Sequence, residues 1–217
     1  DTGGREATLA IANIGTARLG AGTRVRLDAT SAQQHRLHLE HGSMHAWVTA
    51  PPRLFAITTP STAVTDLGCE YAIDVDAKGV GSITVISGKV ELQAAAEGQI
   101  IVAPAGTHAA IRPGNRPGLP MVKASSMALA EAVAAYDRGD AGAVQAVLAA
   151  ATETDAITLV NLAVVEPGNP HVLQRLGALA PSAAWTVDVA MTDPGAVVKW
   201  REEIVSAQIF IDSLIDR

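Results

Sequence analysis

The sequence is poor in cysteine and in long apolar runs, and each shortage excludes a class of protein. Cys69 is the only cysteine among 217 residues, which excludes intramolecular disulfides, zinc knuckles and cysteine-ligated iron–sulfur clusters. No uninterrupted apolar run approaches the roughly 18–20 residues of a membrane span, and the first residues lack the features of a signal peptide. Because the chain starts at Asp1 without methionine, we expect a trimmed sequence, which leaves room for a membrane anchor before it.

Basic and aromatic residues are also scarce. Lys and Arg number 16 against 22 Asp and Glu, which gives a formal charge of -6, and aromatic residues make up 3% of the chain. Scattered positive charge without an aromatic stacking platform suits neither the backbone nor the bases of a nucleic acid, so we exclude nucleic-acid binding. A hydrophobic share of 48% is enough for a folded core, built mainly of Ala, Val, Leu and Ile.

The first half of the chain has the pattern of an all-β domain. Short alternating or β-branched segments at a spacing of about 8–12 residues favour antiparallel strands in a roll, sandwich or short solenoid. The predicted strands are Leu9–Ile14, Ala17–Gly20, Arg24–Asp28, His35–Glu40, Gly42–Thr49, Leu54–Thr58, Ala63–Leu67, Glu70–Val75, Gly81–Ser87, Lys89–Gln93, Gln99–Val102 and Thr107–Arg112.

Turn residues separate these segments. Asp76-Ala77-Lys78-Gly79 and Ser87-Gly88 place glycine where a reversal needs positive φ. Pro51-Pro52 marks a strand junction, because proline cannot donate to a β-ladder. The stretch Arg112–Pro120 is rich in Pro and Gly and follows neither the apolar period of a strand nor that of a helix. It is therefore predicted to be a linker.

Beyond Pro120 the apolar period becomes helical, and five helices are predicted. The first is capped by Ser125 or Ser126 and ends at Gly139, and the second is capped by Asp140. The other three are Ala156–Val165, which is apolar almost all round and should be the most buried, Pro170–Leu179, and a last helix from Asp193-Pro194 to Ile215. The sequence thus predicts an α+β chain in two parts: an all-β antiparallel roll or sandwich-like domain over residues 9–120, then a small all-α domain over residues 121–217.

Four histidines lie close together in the sequence, at His35, His38, His41 and His45. Strand alternation puts His35 and His41 on one face and His38 on the other, so no three converge without help from another segment. We favour strand-surface or turn histidines over a bound metal.

The segment Asp74–Gly79 opens like a calcium loop, with acidic residues two apart and glycine at the sixth position. Lys78 occupies the fifth position, and Val85 stands where the bidentate Glu is needed. A hairpin turn is the better interpretation, and no metal or other cofactor is predicted.

Nothing in the sequence supports catalysis. A Gly-x-Ser-x-Gly elbow is missing, and Cys69 lies in an apolar strand context that favours a buried structural thiol over a reactive one. Trp185 and Trp200 are predicted to anchor the helical core rather than to form a ligand platform. We therefore predict no catalytic residue, and that the protein is not an enzyme.

Several segments of the β half resemble a known family when they are read in order. They are Ile14-Gly15-Thr16-Ala17-Arg18-Leu19-Gly20, Leu39-Glu40-His41-Gly42-Ser43-Met44-His45-Ala46, Pro51-Pro52-Arg53-Leu54-Phe55, Thr59-Pro60-Ser61, Asp66-Leu67-Gly68-Cys69-Glu70-Tyr71 and Val85-Ile86-Ser87-Gly88-Lys89-Val90. They resemble the FecR domain, the periplasmic part of membrane-anchored regulators of extracytoplasmic-function sigma factors. The helical half resembles the tail of longer FecR-like proteins in the segments Ala156-Ile157-Thr158-Leu159 and Leu176-Gly177-Ala178-Leu179-Ala180-Pro181.

The resemblance implies a function. In classical members a cytoplasmic segment binds the sigma factor, one helix crosses the inner membrane, and the periplasmic part senses an occupied outer-membrane transporter. We therefore expect a non-catalytic periplasmic or extracellular sensory module that contacts protein partners at an exposed strand edge or an inter-domain groove. One alternative is a β-rich extracellular structural subunit that assembles through unpaired strand edges. A third is an enzyme or a lectin-like binder of a small ligand.

Structural roles are also expected for several residues of the β half. Gly42, Gly68 and Gly88 should lie at turns or bulges. The residues expected in or at the edge of the β core are Phe55, Cys69 and Tyr71.

Overall fold

The computed structural model describes residues 1–94, 99–114 and 117–215. It divides into two compact units, Asp1–Pro117 and Gly118–Arg217. The predicted linker Arg112–Pro120 includes residues 115–116, which lie outside the described residues. Strands fill the first unit and helices the second, so the α+β class is confirmed.

Alternating apolar residues build the strands of the first unit, as the sequence pattern indicates. The strands within its described residues are β1 (Ala7–Ile11), β2 (Gly15–Leu19), β3 (Arg24–Ser31), β4 (Gln34–Val48), β5 (Phe55–Thr58), β6 (Thr62–Asp66), β7 (Glu70–Val75), β8 (Gly81–Ser87), β9 (Lys89–Ala94), β10 (Ile101–Pro104) and β11 (Thr107–Ile111).

These strands form two sheet regions that share β4. The region called sheet 1 has the order β1-β2-β4-β7-β8-β11, and the region called sheet 2 has the order β3-β4-β5-β6-β9-β10. All of these pairs are antiparallel except β4 with β5, where His35 lies opposite Phe55 and His38 opposite Thr58 in parallel register. The purely antiparallel prediction is wrong at this pair, because the chain leaves the end of β4 and returns to its beginning before starting β5.

Strand β4 joins the two segments predicted as His35–Glu40 and Gly42–Thr49 into one strand of 15 residues. Its first part pairs with β3 and β5, and its second part, from Gly42, pairs with β2 and β7. Gly42 takes a φ of 101° at this change of sheet. The buried positions shift there from Leu37 and Leu39 to Met44, Ala46 and Val48, so the inward face changes from odd to even positions.

The core of the first unit is aliphatic with two large aromatic anchors. Phe55 and Tyr71 have no solvent exposure, and Cys69 is 2% exposed, so all three predicted core positions are confirmed. Gly68 and Gly88 take positive φ in the β6–β7 and β8–β9 turns, as expected.

The second unit begins with the two-residue strand β12 (Met121–Val122) and continues with helices. The helices within its described residues are α1 (Met127–Arg138), α2 (Ala143–Ala150), α3 (Ala156–Val165), α4 (Pro170–Leu179), α5 (Val187–Thr192) and α6 (Pro194–Ile215). A single 3₁₀ turn, Glu153–Asp155, precedes α3.

Helix ends follow the predicted caps with one exception. Ser126 caps α1, and Gly139 ends it in the left-handed conformation. Asp140 does not cap α2, since its carboxylate accepts from the Arg138 guanidinium at 2.7 Å and Gly142 takes the cap position.

The buried centre of the second unit is α3, with seven of its ten residues buried. Trp200 of α6 is 1% exposed and donates through Nε1 to Ala180 O at 3.1 Å, so its prediction as a core anchor is confirmed. For Trp185 the same prediction is wrong. Its indole lies half-buried at the surface, donates to Glu203 Oε1 at 2.8 Å, and has Lys199 Nζ 5.2 Å from its ring centre. The short helix α5, capped by Thr186, was not predicted.

Candidate functional site

Strand β3 is an edge strand of sheet 2. Among the described residues it pairs with β4 alone, so the main-chain N–H and C=O groups along its other side face away from the sheet. The N-terminal segment covers only the beginning of this side, through Thr2 N–H donating to Thr23 O at 3.0 Å and the Asp1–Arg24 ion pair at 3.1 Å. An open edge of this kind is a template for a further strand.

Side chains on β3 leave this edge accessible. Leu27 is 60% exposed, although Leu37 opposite it on β4 is buried. Arg26 and Asp28 form an ion pair at 2.7 Å, and this hydrogen bond lowers the pKa of the Asp28 carboxyl. The two opposite charges of this ion pair balance each other. The edge around Leu27 therefore presents an apolar side chain with no net charge from its two neighbours.

A second surface is the outward face of sheet 1. Two adjoining depressions of about 310 and 230 Å³ lie along it and share Arg18 and His45 as lining residues. We call them together the sheet 1 groove. Trp47, 56% exposed, lines the smaller depression beside Thr16 of β2 and Glu70 of β7, which lie directly opposite it in register. His45 Nε2 lies 2.8 Å from Glu70 Oε1, which fixes both side chains at the wall of the groove.

A third feature is a buried polar cluster at the β6–β7 turn. Asp66 Oδ1 accepts from Gly68 N–H at 2.7 Å, and Oδ2 accepts from the Cys69 thiol at 2.8 Å. Burial raises the pKa of the Asp66 carboxyl, and these hydrogen bonds offset part of that rise. Burial, followed by the neighbouring Asp66 charge, raises the pKa of Cys69, so the thiol is protonated at neutral pH and is a poor nucleophile.

The clustered histidines do not converge. His35 Nδ1 lies 3.0 Å from Thr30 Oγ1, His38 Nδ1 lies 2.9 Å from Thr58 Oγ1, and His45 contacts Glu70. Within the described ranges no group of three His, Cys, Asp or Glu residues could hold a metal ion.

The calcium-like segment is the β7–β8 turn, as predicted. Asp76 Oδ1 accepts from the backbone N–H of Lys78 at 2.8 Å and of Val80 at 2.9 Å. The carboxylate is therefore used by the turn itself.

Sequence reasoning missed the sheet 1 groove. Its residues come from β1, β2, β4, β7 and β8 and meet only through cross-strand pairing. The exposed position of Trp47 on an alternating strand was the one signal that could have pointed to it.

A comparison with family models decides the affiliation of the first unit. Residues 1–91 match the model of the family described as FecR protein. Most of the N-terminal unit is therefore similar to the FecR family. FecR proteins are regulators and in general not catalysts. No curated protein matches the chain.

Among solved structures, two crystal structures of candidate anti-sigma factors from Parabacteroides distasonis ATCC 8503 are similar to this chain. One is 18% identical with a TM-score of 0.45, covering 52% of this chain and 54% of its own. The other is 17% identical with a TM-score of 0.47, covering 64% of this chain and 63% of its own. The chain thus spans less than two thirds of either relative.

Among the helices of the described ranges, none combines the length and the hydropathy that crossing a bilayer requires.

Proposed function

We propose that this chain is the extracytoplasmic, protein-binding part of a FecR-type regulator of an extracytoplasmic-function sigma factor. The FecR match over residues 1–91 carries the proposal. In this role the domain works without catalysis, in the periplasm, and its binding state controls the sigma factor through the rest of the regulator.

The free edge of β3 is the proposed contact with the partner. Adding an extended strand of the partner satisfies the outward N–H and C=O groups of β3, and each such hydrogen bond adds affinity without demanding a particular side chain. Leu27 supplies an apolar contact of the kind that gives such an edge its specificity. Edge β3 has eight residues, against five in β1 and four in β10, so it offers the longest ladder of the three.

Replacing Leu27 with lysine tests this contact. A lysine on an edge strand opposes strand addition by placing a solvated charge where the added strand must lie. We expect L27K in the intact regulator to uncouple the signal from transcription at a promoter that depends on the cognate sigma factor. A transcriptional reporter in the native bacterium measures this.

Val80→Lys is the matched control. Val80 is 50% exposed at the β7–β8 turn, away from β3, and receives the same charge. The proposal predicts a normal response from this variant. Equal responses from wild type, L27K and V80K would reject the β3 contact, and a response that survives deletion of the whole FecR domain would reject the regulatory role.

The same open edge also favours the assembly alternative, in which copies of the chain join through β3. Light scattering during size-exclusion chromatography separates the two functions. A mass that rises with concentration and returns to the monomer value in L27K would support assembly. A monomer at every concentration supports the regulatory role.

A further inference from the structure

The sheet 1 groove has a floor of small residues and walls of longer polar ones. Gly20, Ser43, Ala72 and Ser82 come from four neighbouring strands or strand ends and line the larger depression. Because these side chains are short, the longer side chains of Arg18, Glu6 and Asp74 around them stand above the floor. The depression therefore follows from the choice of residues on one sheet face.

Two of the polar side chains on the walls, His45 and Glu70, hold each other in place before any ligand binds. His45 and Glu70 form a pair at 2.8 Å, and both contribute to the smaller depression. Arg18 of β2 lies directly opposite His45 of β4 in the register and lines both depressions. The groove thus offers planar groups that donate and accept hydrogen bonds, two of them held by their mutual contact.

Trp47 supplies a flat apolar surface in the smaller depression of the groove. Its indole is 56% exposed although it lies in the middle of a sheet face. Exposing so large an apolar side chain costs solvation free energy in proportion to the apolar surface left in water. Covering it with a flat apolar ligand face recovers that energy.

The charge of the groove disfavours anionic ligands. Glu6, Glu70 and Asp74 oppose the single arginine, Arg18, and His45. The open shape also disfavours a compact apolar ligand, which needs an enclosed pocket.

We propose that the sheet 1 groove binds a pyranose oligosaccharide that carries no dense negative charge. A pyranose ring has one apolar face of C–H groups, which fits against the Trp47 indole. Its ring hydroxyls donate to the Glu70 carboxylate and accept from Arg18, so one sugar unit uses both kinds of groove residue. The groove continues past Ala72 over the larger depression, which gives a second sugar unit a place to bind. This site is separate from the β3 edge and does not depend on the proposed protein contact.

An array of bacterial and plant glycans probed with the labelled 217-residue chain tests the proposal. Titration calorimetry with tetra-N-acetylchitotetraose, cellotetraose and maltotetraose then measures affinity. We expect binding to at least one glycan, a loss of affinity of about tenfold or more in Trp47→Ala, and partial retention in Trp47→Phe, which keeps an aromatic face. Far-UV circular dichroism should be unchanged in both variants, because the Trp47 side chain is mostly exposed.

Trp185→Phe is the control for the loss of a surface tryptophan outside the groove, and its glycan affinity should equal that of the wild type. Failure to bind any glycan on the array would overturn the proposal. Glycan binding that is unaffected by Trp47→Ala would also overturn it. Binding of a lysine-rich peptide in place of glycans, abolished by Trp47→Ala, would assign the groove to a protein partner and reject a sugar.

Discussion

At the scale of single residues, Asp66 explains why Cys69 lies where it does. The carboxylate is buried and receives hydrogen bonds from Gly68 N–H and the Cys69 thiol. Tyr71 Oη is buried nearby and has no hydrogen-bond partner among the described residues, and burial raises the pKa of its hydroxyl. Cys69 is therefore a hydrogen-bond donor to a buried acid as well as an apolar core residue.

Substitution of Cys69 separates these two roles. Cys69→Ala removes the donor to Asp66 and leaves a small void, so we expect unfolding in urea to show a loss of about 1–3 kcal/mol. Cys69→Ser is the matched control, because its hydroxyl still donates to Asp66, and we expect it to cost clearly less. Without the structure, Cys69→Ser would be expected to bury an unpaired hydroxyl. The expected loss in free energy of unfolding would then be as large as that of Cys69→Ala. A serine variant as unstable as the alanine variant would contradict the hydrogen-bond role.

Asp66 also predicts a pH dependence of stability. Its carboxyl has a pKa in the folded state that is raised above the ordinary aspartate pKa of 3.8. The folded protein therefore binds this proton more tightly than the unfolded chain does. This group therefore stabilises the fold as the pH falls from neutral towards 3.8, and that contribution is lost as the pH rises through the folded pKa. Asp66→Asn removes the titration and keeps the size. We expect the free energy of unfolding of the wild type, relative to Asp66→Asn, to increase as the pH falls, in a series of urea titrations.

A difference between wild type and Asp66→Asn that stays constant with pH would contradict the raised pKa.

Some residues of the core could be predicted from the sequence, but their partners could not. Phe55, Tyr71 and Cys69 are apolar or weakly polar residues at alternating positions, which is a local signal. The contact of Cys69 with Asp66 depends on the shape of a turn. Trp185 was assigned to the core because large side chains are rare here, yet Glu203 and Lys199 of α6 hold it at the surface.

At the scale of elements, β4 is the connection between the two sheets. Gly42 lies where the strand changes partners, with a φ of 101°, and a Cβ there would lie 2.5 Å from Thr23 Cα. The Thr23 hydroxyl donates to Ser43 O at 3.1 Å and accepts from Ser43 N–H at 3.0 Å, so Thr23 is itself fixed. Only glycine fits this crossing without moving β3.

Gly42→Ala is therefore expected to destabilise the domain strongly. The left-handed backbone alone costs about 1–3 kcal/mol for a residue with a side chain, and the close contact with Thr23 adds to it. Thermal unfolding followed by circular dichroism measures the effect. Gly22→Ala is the matched control, because Gly22 has a φ of 71° with nothing within 4 Å of the added Cβ. An equal loss of stability in both variants would contradict the close contact at Gly42.

Helices were more predictable than the long strand. Ala156–Val165 and Pro170–Leu179 match the predicted bounds because proline, glycine and asparagine mark their ends locally. A glycine in mid-strand has the same local signature as a turn, so β4 was predicted as two strands. Only the pairing of its two parts with different strands shows that it is continuous.

At the scale of the whole molecule, the chain joins a β unit, whose residues 1–91 match the FecR family model, to a helical unit that lies wholly beyond that match. The two candidate surfaces of the β unit lie on different strands, with β3 at an edge and the groove on the face of sheet 1. The groove gathers residues of several strands, and β3, although one continuous segment, is an edge only because of how the strands pair. The family was recognisable from short segments because turns and core positions are local, whereas these surfaces arise from strand pairing.

The most direct test of the account is competition in living cells. The 217-residue chain is exported to the periplasm of the native bacterium, in excess over the intact regulator, and transcription from the sigma-dependent promoter is measured. If the chain binds the regulator's partner through β3, excess wild-type chain occupies that partner and changes the transcriptional response, whereas excess L27K chain leaves it unchanged. An unchanged response with abundant, folded wild-type chain in the periplasm would contradict the proposed function.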